Sequence, residues 1–343
     1  MAKKNALTKD RLIWMYTQMV RIREFESRVK RTFVEHPGVI RGHTHLGDGA
    51  EATIVGALAT REKNDLAMPS YRCHGYPLVL GTSPCKMMAE IYGRRDGLCG
   101  GFGGSMHLAD PEHHFPGTSG IIGQAITHAT GAALTAQVKN TKQVVYCFFG
   151  DGSTKQGAFF ESLNLAAVWQ LPIVYILENN HYQAYTHISL EDANYIAGDP
   201  LSKKAAAFSI PGVTVDGTDP LKVRDVVQKA ADRARSGKGP SLIEAKFYRL
   251  SAHGNAITVP PVPTQFPEHE SVEVYGRKSE FAAAVKNDPI PRFRASLVRK
   301  GVLKNAVAGQ IEEKVRAEMQ DAVQFALASP PPAGSEAVKH VYA

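Results

Sequence analysis

Apolar residues follow two rhythms along this chain. Near the N-terminus Leu12, Met15, Tyr16, Met19 and Ile22 recur at helical spacing with Arg11, Arg21 and Arg23 between them, and Thr8 can cap a helix starting near Lys9. The middle of the chain alternates continuous apolar runs with helical patterns. Residues 144–149, Val-Val-Tyr-Cys-Phe-Phe, read as a strand buried on both faces. Residues 154–169 read as a helix offering Phe159, Phe160, Leu163, Ala166 and Ala167 for packing, and residues 171–177 as the next strand. Strand, helix and strand in about 35 residues make a βαβ unit with parallel strands and a right-handed crossover. The Gly- and Ala-rich stretch 123–138 predicts a closely packed helix. Asp219-Pro220 opens a further helix that Gly237 stops, and residues 241–247 follow as a strand. The pattern predicts an α/β fold, a doubly wound and mostly parallel sheet flanked by helices.

Beyond Arg249 the periodicity stops. Residues 251–275 hold Pro260, Pro261, Pro263 and Pro267 and predict a long loop, which in a compact domain is functional or disordered. Helices are predicted again over 278–286 and 291–327, ended by the triple proline 330–332. The chain divides into an N-terminal helical extension (1–40), an α/β core (41–250) and a C-terminal part with the loop, helices and tail (251–343).

The bulk numbers exclude more than they identify. With 343 residues, 43% hydrophobic and 21% charged, the chain reads as globular. A net charge of +7 suits an anionic ligand, but no long Lys/Arg run signals nucleic acid. No apolar window is long enough to span a membrane and the N-terminus carries no apolar leader, so the expectation is cytoplasmic. Cys73, Cys85, Cys99 and Cys147 show no C-x-x-C spacing and no disulfide scaffold. Cys147 reads as a small core residue; Cys73, inside a ligand-like motif, is expected to be more exposed.

The chemistry lies at the ends of the two apolar strands. Gly150-Asp151-Gly152 follows the first and Asn179-Asn180 the second, with the 26 residues 153–178 between. Ligands of open α/β sheets sit outside the carboxyl ends of their strands. Magnesium takes hard oxygen ligands in near-octahedral geometry and keeps phosphate oxygens in its shell. The Asp151 carboxylate, the Asn180 side-chain oxygen and a backbone carbonyl just beyond meet that need. Gly150 and Gly152 allow close backbone approach, and a helix beginning after Gly152 turns free N–H groups towards a diphosphate. Either half alone is a turn; the pair, each after its own strand, points to a metal–diphosphate site.

The whole segment 150–180 resembles the alpha subunit of the thiamine-diphosphate-dependent decarboxylating component of 2-oxo acid dehydrogenase complexes, a group that includes the pyruvate, branched-chain and acetoin dehydrogenase alpha subunits. The resemblance runs over roughly residues 10–325 and implies the thiamin diphosphate-binding fold. It implies magnesium held by Asp151, Asn180 and the carbonyl of Tyr182, with Gly152 and Ser153 beside the cofactor. Tyr71-Arg72-Cys73-His74-Gly75 resembles the family's Tyr-Arg-x-His-Gly, whose Tyr and Arg reach the diphosphate; the rigid, permanently charged fork of an arginine suits phosphate. Residues 120–123 resemble the segment whose backbone holds the aminopyrimidine, which assigns Gly120 and Ile122 to the cofactor. His45 and His253 match two active-site histidines, and His253 also borders the cofactor. No periodicity explains His253 by packing, and an imidazole near its ordinary pKa of about 6.5 can shuttle protons. His113 and His114 match nothing and read as loop residues.

The implied reaction is attack of the cofactor's ylide on the keto carbon of a 2-oxo acid, loss of carbon dioxide, and transfer of the acyl group to a lipoyl sulfur with His253 donating a proton. The resemblance assigns the activating glutamate to a beta subunit. It implies an α2β2 heterotetramer with little activity in this chain alone, and a lipoyl-bearing acyltransferase as a further partner. Two alternatives stand beside it: a thiamine diphosphate enzyme that cleaves acetoin or transfers a two-carbon unit without lipoate, and a non-catalytic paralogue.

The chain departs from the family pattern at several positions. Gly254 stands where mitochondrial members carry a regulatory serine, so that phosphorylation switch is absent. Asn255-Ala256-Ile257-Thr258 lacks the usual serine, acidic and arginine elements. Ala50 and Phe102 stand where the family commonly has Gln and Lys, and Gln183-Ala184-Tyr185 replaces a small Gly-rich run, larger side chains that predict an unusual substrate.

Overall fold

Five parallel strands form the central sheet in the order β1-β2-β3-β7-β6. In chain order the strands are β1 (Leu66–Met68), β2 (Val145–Gly150), β3 (Ile173–Asn179), β4 (Tyr182–Gln183), β5 (Thr186–His187), β6 (Gly212–Asp216) and β7 (Ser241–Lys246), with β4 and β5 pairing apart from the sheet as a small antiparallel hairpin. The helices are α1 (Lys9–Glu35), α2 (Glu51–Leu58), α3 (Gly75–Leu80), α4 (Pro84–Ile91), α5 (Gln124–Val138), α6 (Gly157–Val168), α7 (Ala193–Ile196), α8 (Pro220–Arg235), α9 (Lys278–Lys286), α10 (Pro289–Arg299) and α11 (Asn305–Ala328). The structure, a computed structural model, describes residues 7–254 and 278–340. The predicted proline-rich loop beyond Gly254, including Asn255-Ala256-Ile257-Thr258, lies outside the described residues.

The unbroken apolar runs have a direct cause. Tyr146 and Phe148 of β2 join a core layer with Val174 and Ile176 of β3 and with α1, α2, α8 and α11. Their neighbours Val145, Cys147 and Phe149 join the opposite layer with Tyr175, Leu177 and α5 and α6. Successive side chains of a strand point to opposite faces, so a sheet covered on both faces needs apolar residues at every position. The doubly wound parallel architecture is as predicted.

Local signals also hold. Thr8 caps α1 by accepting the Arg11 N–H at 3.2 Å. Asp219 caps α8 with the N–H groups of Leu221 and Lys222 at 3.0 and 3.2 Å. At Gly56 the fully buried α2 crosses α8 so closely that a Cβ would lie 2.6 Å from the Pro220 carbonyl oxygen.

Two boundaries differ from expectation. The single helix expected over 291–327 is two helices, broken where Gly301 adopts φ +67°. Asp288-Pro289 starts the first of them, with Asp288 accepting the Ile290 N–H at 3.0 Å. The helix expected from residue 154 begins at Gly157, because Asp151–Lys155 forms a tighter 3-10 turn first. Cys73 is fully buried rather than exposed, its thiol donating to the Ser105 carbonyl at 3.3 Å. Cys147 is a core residue as expected. Among the described residues, no helix is long and apolar enough to cross a membrane.

Candidate active site at the carboxyl edge of the sheet

Strands β2 and β3 run parallel with Gly150 opposite Glu178, so Asp151 and Asn180 emerge side by side past the same edge. Strand β7 continues the edge, with Asn179 opposite Lys246, which brings Phe247 and Arg249 alongside. A cleft of about 260 Å³ opens there. Its floor is Gly150, Asp151, Gly152 and Ser153; one wall is Asn180, Tyr182, Gln183 and Ala184, and the other Ser70, Tyr71 and Arg72. Ile122, Glu178, Phe247, Arg249 and His253 complete it.

Asp151 is 1% exposed and its Oδ2 has no hydrogen-bond partner among the described residues. Burial pushes its carboxyl up to about 6, against the pull of the Lys155 ammonium. An orphaned buried oxygen of this kind is costly, and a cation is its natural partner. Asn180 is also buried, and its Oδ1 accepts the Tyr182 N–H at 3.1 Å. That bond turns the chain tightly after β3, and His181 between them takes φ +68°. Neighbouring Asn179 points elsewhere, its Nδ2 donating to Glu244 at 2.8 Å. The two asparagines are thus divided between structure and cleft.

Arg72 donates to the Leu46 carbonyl at 2.5 Å and to the His253 carbonyl at 3.1 Å. Arg249, 4% exposed, donates to the carbonyls of Ser251 at 3.0 Å and Ala184 at 3.3 Å. Two arginines therefore flank one cleft. His45 stands behind the wall, its ring 4.5 Å from that of Tyr71 and 5.1 Å from that of His253. Burial, then Arg72, Arg249 and His43, depress the His253 imidazole to about 4. Burial, Arg72 and His253 depress His45 to about 2. The expectation of an imidazole near its ordinary pKa is therefore corrected: without an anion opposite the arginines, both rings are neutral. On the far wall, burial raises the Glu178 carboxyl to about 7, opposed by the Tyr76 hydroxyl donating to it at 2.6 Å.

Most of the residues singled out from sequence meet in this cleft. Gly120 does not line it; a Cβ there would lie 3.6 Å from Met106 Sδ. The N–H groups nearest the cleft belong to the Asp151–Lys155 turn rather than to α6. His113 and His114 lie in a turn between α4 and α5, His113 paired with Asp110 at 2.8 Å. Arg249, Glu178 and His43 were not singled out. The rule that placed Asp151 and Asn180 applies equally to polar residues just past β7, so Arg249 was findable. Among the departures, Gln183 covers Gly152, where a Cβ would lie 2.9 Å from the Gln183 side-chain amide. The Tyr185 ring lies 6.0 Å from that of His253. A Cβ at Gly254 would come within 3.2 Å of His45 Nε2, so a side chain there would press on the histidine wall.

No cluster of three His, Cys, Asp or Glu side chains able to hold a metal occurs among the described residues. A set of one carboxylate, one carboxamide and one backbone carbonyl is of a different kind, the hard-oxygen type suited to magnesium.

Known proteins match the chain over nearly its whole length. It is 41% identical over 339 residues to the alpha subunit of acetoin:2,6-dichlorophenolindophenol oxidoreductase from Bacillus subtilis (strain 168), covering 98% of this chain and 95% of that one. It is 36% identical to the pyruvate dehydrogenase E1 component subunit alpha of Rhizobium meliloti (strain 1021), covering 94% of this chain and 87% of that one. It is 33% identical to the corresponding Porphyra purpurea subunit, covering 98% and 94%. The dehydrogenase E1 component family matches residues 17–335. With the parallel sheet and its carboxyl-edge cleft, these matches establish that the chain belongs to the dehydrogenase E1 component family, as an alpha-type subunit of a 2-oxo acid or acetoin dehydrogenase.

Proposed function

We propose that this chain forms the diphosphate-and-metal half of a thiamine diphosphate active site, that Asp151, Asn180 and the Tyr182 carbonyl hold magnesium there, and that the enzyme decarboxylates a 2-oxo acid and passes the acyl group to a lipoyl carrier. The observation that carries this reading is the buried, unpartnered Asp151 Oδ2 beside Asn180, in a cleft flanked by Arg72 and Arg249. Membership of the family implies the cofactor and a beta subunit.

The residues present fit the group. One buried carboxylate and the Asn180 oxygen supply hard ligands for magnesium. Arg72 and Arg249 oppose the diphosphate charge with permanent cations that are already fixed by carbonyl acceptors. Tyr71 closes the wall, and Ile122 offers an apolar contact at the mouth. When bound, thiamine diphosphate supplies the electron sink for cleaving the bond beside a keto group. The chain's own contribution to proton movement falls to His253. Held neutral by burial and the two arginines, its ring gains a proton more readily once an anion offsets Arg72 and Arg249, and can then return it to the reacting group. His45 backs that ring and fixes its tilt, at 77° between planes. The activating glutamate would come from the beta subunit in an α2β2 assembly.

A second reading, cleavage of acetoin, is favoured by the 41% identity to the Bacillus subtilis subunit, against 33–36% for the pyruvate-named relatives above. One experiment separates the two. The chain is co-purified with its beta subunit and assayed against a panel of 2-oxo acids and acetoin, with an artificial electron acceptor and with or without a lipoyl domain. Turnover of a 2-oxo acid that reduces the lipoyl domain supports the first reading; turnover of acetoin alone supports the second. Absence of magnesium-dependent thiamine diphosphate binding would refute both.

A further inference from the structure

The cleft walls come from separate stretches of chain, and a buried run of hydrogen bonds ties them together. Glu26, on α1, is 1% exposed. Its Oε2 lies 2.7 Å from His74 Nδ1, and its Oε1 accepts the Gly47 N–H at 2.8 Å. His74, fully buried, reaches Ser105 Oγ at 2.8 Å through Nε2. The Ser105 carbonyl accepts the Cys73 thiol at 3.3 Å. The next carbonyl, that of Met106, accepts the Thr118 hydroxyl at 2.7 Å.

The anchors lie within a few residues of the cleft wall or of the groups that hold it. Gly47 follows Leu46, whose carbonyl holds Arg72, and lies two residues past His45. Cys73 and His74 directly follow Tyr71-Arg72. Thr118 leads into the 120–123 stretch. A carboxylate, an imidazole and a hydroxyl in series thus fix the Arg72 and His45 segments against one helix.

Resting on the cofactor reading above, we propose that Glu26, His74 and Ser105 form a positioning relay that sets Arg72 and Tyr71 for the diphosphate, controlling cofactor affinity without touching the cofactor. The same order of groups also activates serine nucleophiles, but two observations oppose that role here. Ser105 is 6% exposed. The nearby N–H groups of Gly103 and Gly104, which could otherwise stabilise an oxyanion, both donate to Glu90, at 2.7 and 3.1 Å.

The relay is fully paired, so removing its last hydroxyl leaves His74 Nε2 buried without a partner and frees the ring to shift. Ser105→Ala is the test, in the chain co-purified with its beta subunit. Three quantities are read: the thiamine diphosphate Kd with magnesium by calorimetry, kcat at saturating cofactor, and labelling of the protein by a fluorophosphonate. The expected result is a Kd weakened about five- to tenfold with kcat within about twofold of wild type, and no labelling of Ser105. If Ser105→Ala does not fold, Ser105→Cys, which keeps the volume but offers His74 Nε2 only a weak thiol donor, carries the same expectation. An unchanged Kd in a variant that only melts earlier overturns the relay and leaves the cofactor reading intact. So does labelling at Ser105. A wild-type complex that binds no thiamine diphosphate overturns both.

Discussion

Replacing Asp151 by asparagine should stabilise the cofactor-free protein at neutral pH while abolishing metal-dependent cofactor binding. Burial raises the Asp151 carboxyl from 3.8 to about 6. The sign is opposite to that of a paired carboxylate. The folded state holds this proton more tightly than the unfolded state, so the group costs stability once it ionises. The cost grows as pH rises from about 4 to about 6 and is constant above that. Two units correspond to ~3 kcal/mol at neutral pH. The amide of an asparagine at this buried position loses about 1 kcal/mol for imperfect pairing, leaving a net gain of ~1–2 kcal/mol. Between about pH 5 and pH 7.5 the advantage of the variant should widen by ~1.4 kcal/mol. Thermal or denaturant unfolding of the complex without cofactor at the two pH values measures this, and calorimetry with thiamine diphosphate and magnesium measures the loss of binding. A variant less stable than wild type at pH 7.5, with no relative gain as pH rises, would refute the account of Asp151 as a strained, cation-awaiting carboxylate. Retained magnesium-dependent binding would refute its role as ligand.

Other outcomes follow from the same geometry. Arg72→Ala and Arg249→Ala should each weaken thiamine diphosphate binding about 10- to 100-fold, as expected for lost charged hydrogen bonds, and flatten its salt dependence; calorimetry at two ionic strengths checks this. His253→Asn should lower kcat by ~10²–10⁴-fold with a much smaller change in cofactor Kd, read by steady-state kinetics at saturating cofactor. Because the depressed His253 imidazole should rise from about 4 when an anion faces the arginines, wild type should take up more protons on cofactor binding than His253→Asn near pH 5–6. Calorimetry in two buffers of different ionisation enthalpy reports the difference. Gly49 has φ +101°, and a Cβ there would lie 2.2 Å from the Tyr248 carbonyl oxygen. Gly49→Ala should therefore cost ~3 kcal/mol or more and lower soluble yield, measured by melting temperature and fractionation.

The sequence by itself determined the inner strands of the sheet, β2, β3 and β7, and one edge of the site; the short edge strands β1 and β6 carry no comparable apolar run. Apolar runs at 144–149 and 171–177, short and bounded by turn residues, read as strands covered on both faces, and adjacent parallel strands carry the residues past their ends to a common edge. Asp151 and Asn180 meet for that local reason. The helix breaks at Gly301 and after Asp151 were harder, because apolar periodicity does not register a single left-handed residue or a tighter turn. Only the tertiary structure decided how the remaining segments converge. Leu46 and His253 lie 26 and 181 positions from Arg72, yet both accept its hydrogen bonds. Glu26 lies 48 positions from the His74 ring it holds. Such pairings leave no period or spacing in the chain, since they depend on where whole helices pack. The protonation of His45 and His253 is likewise a property of the fold: it follows from burial beside Arg72, which no local pattern encodes.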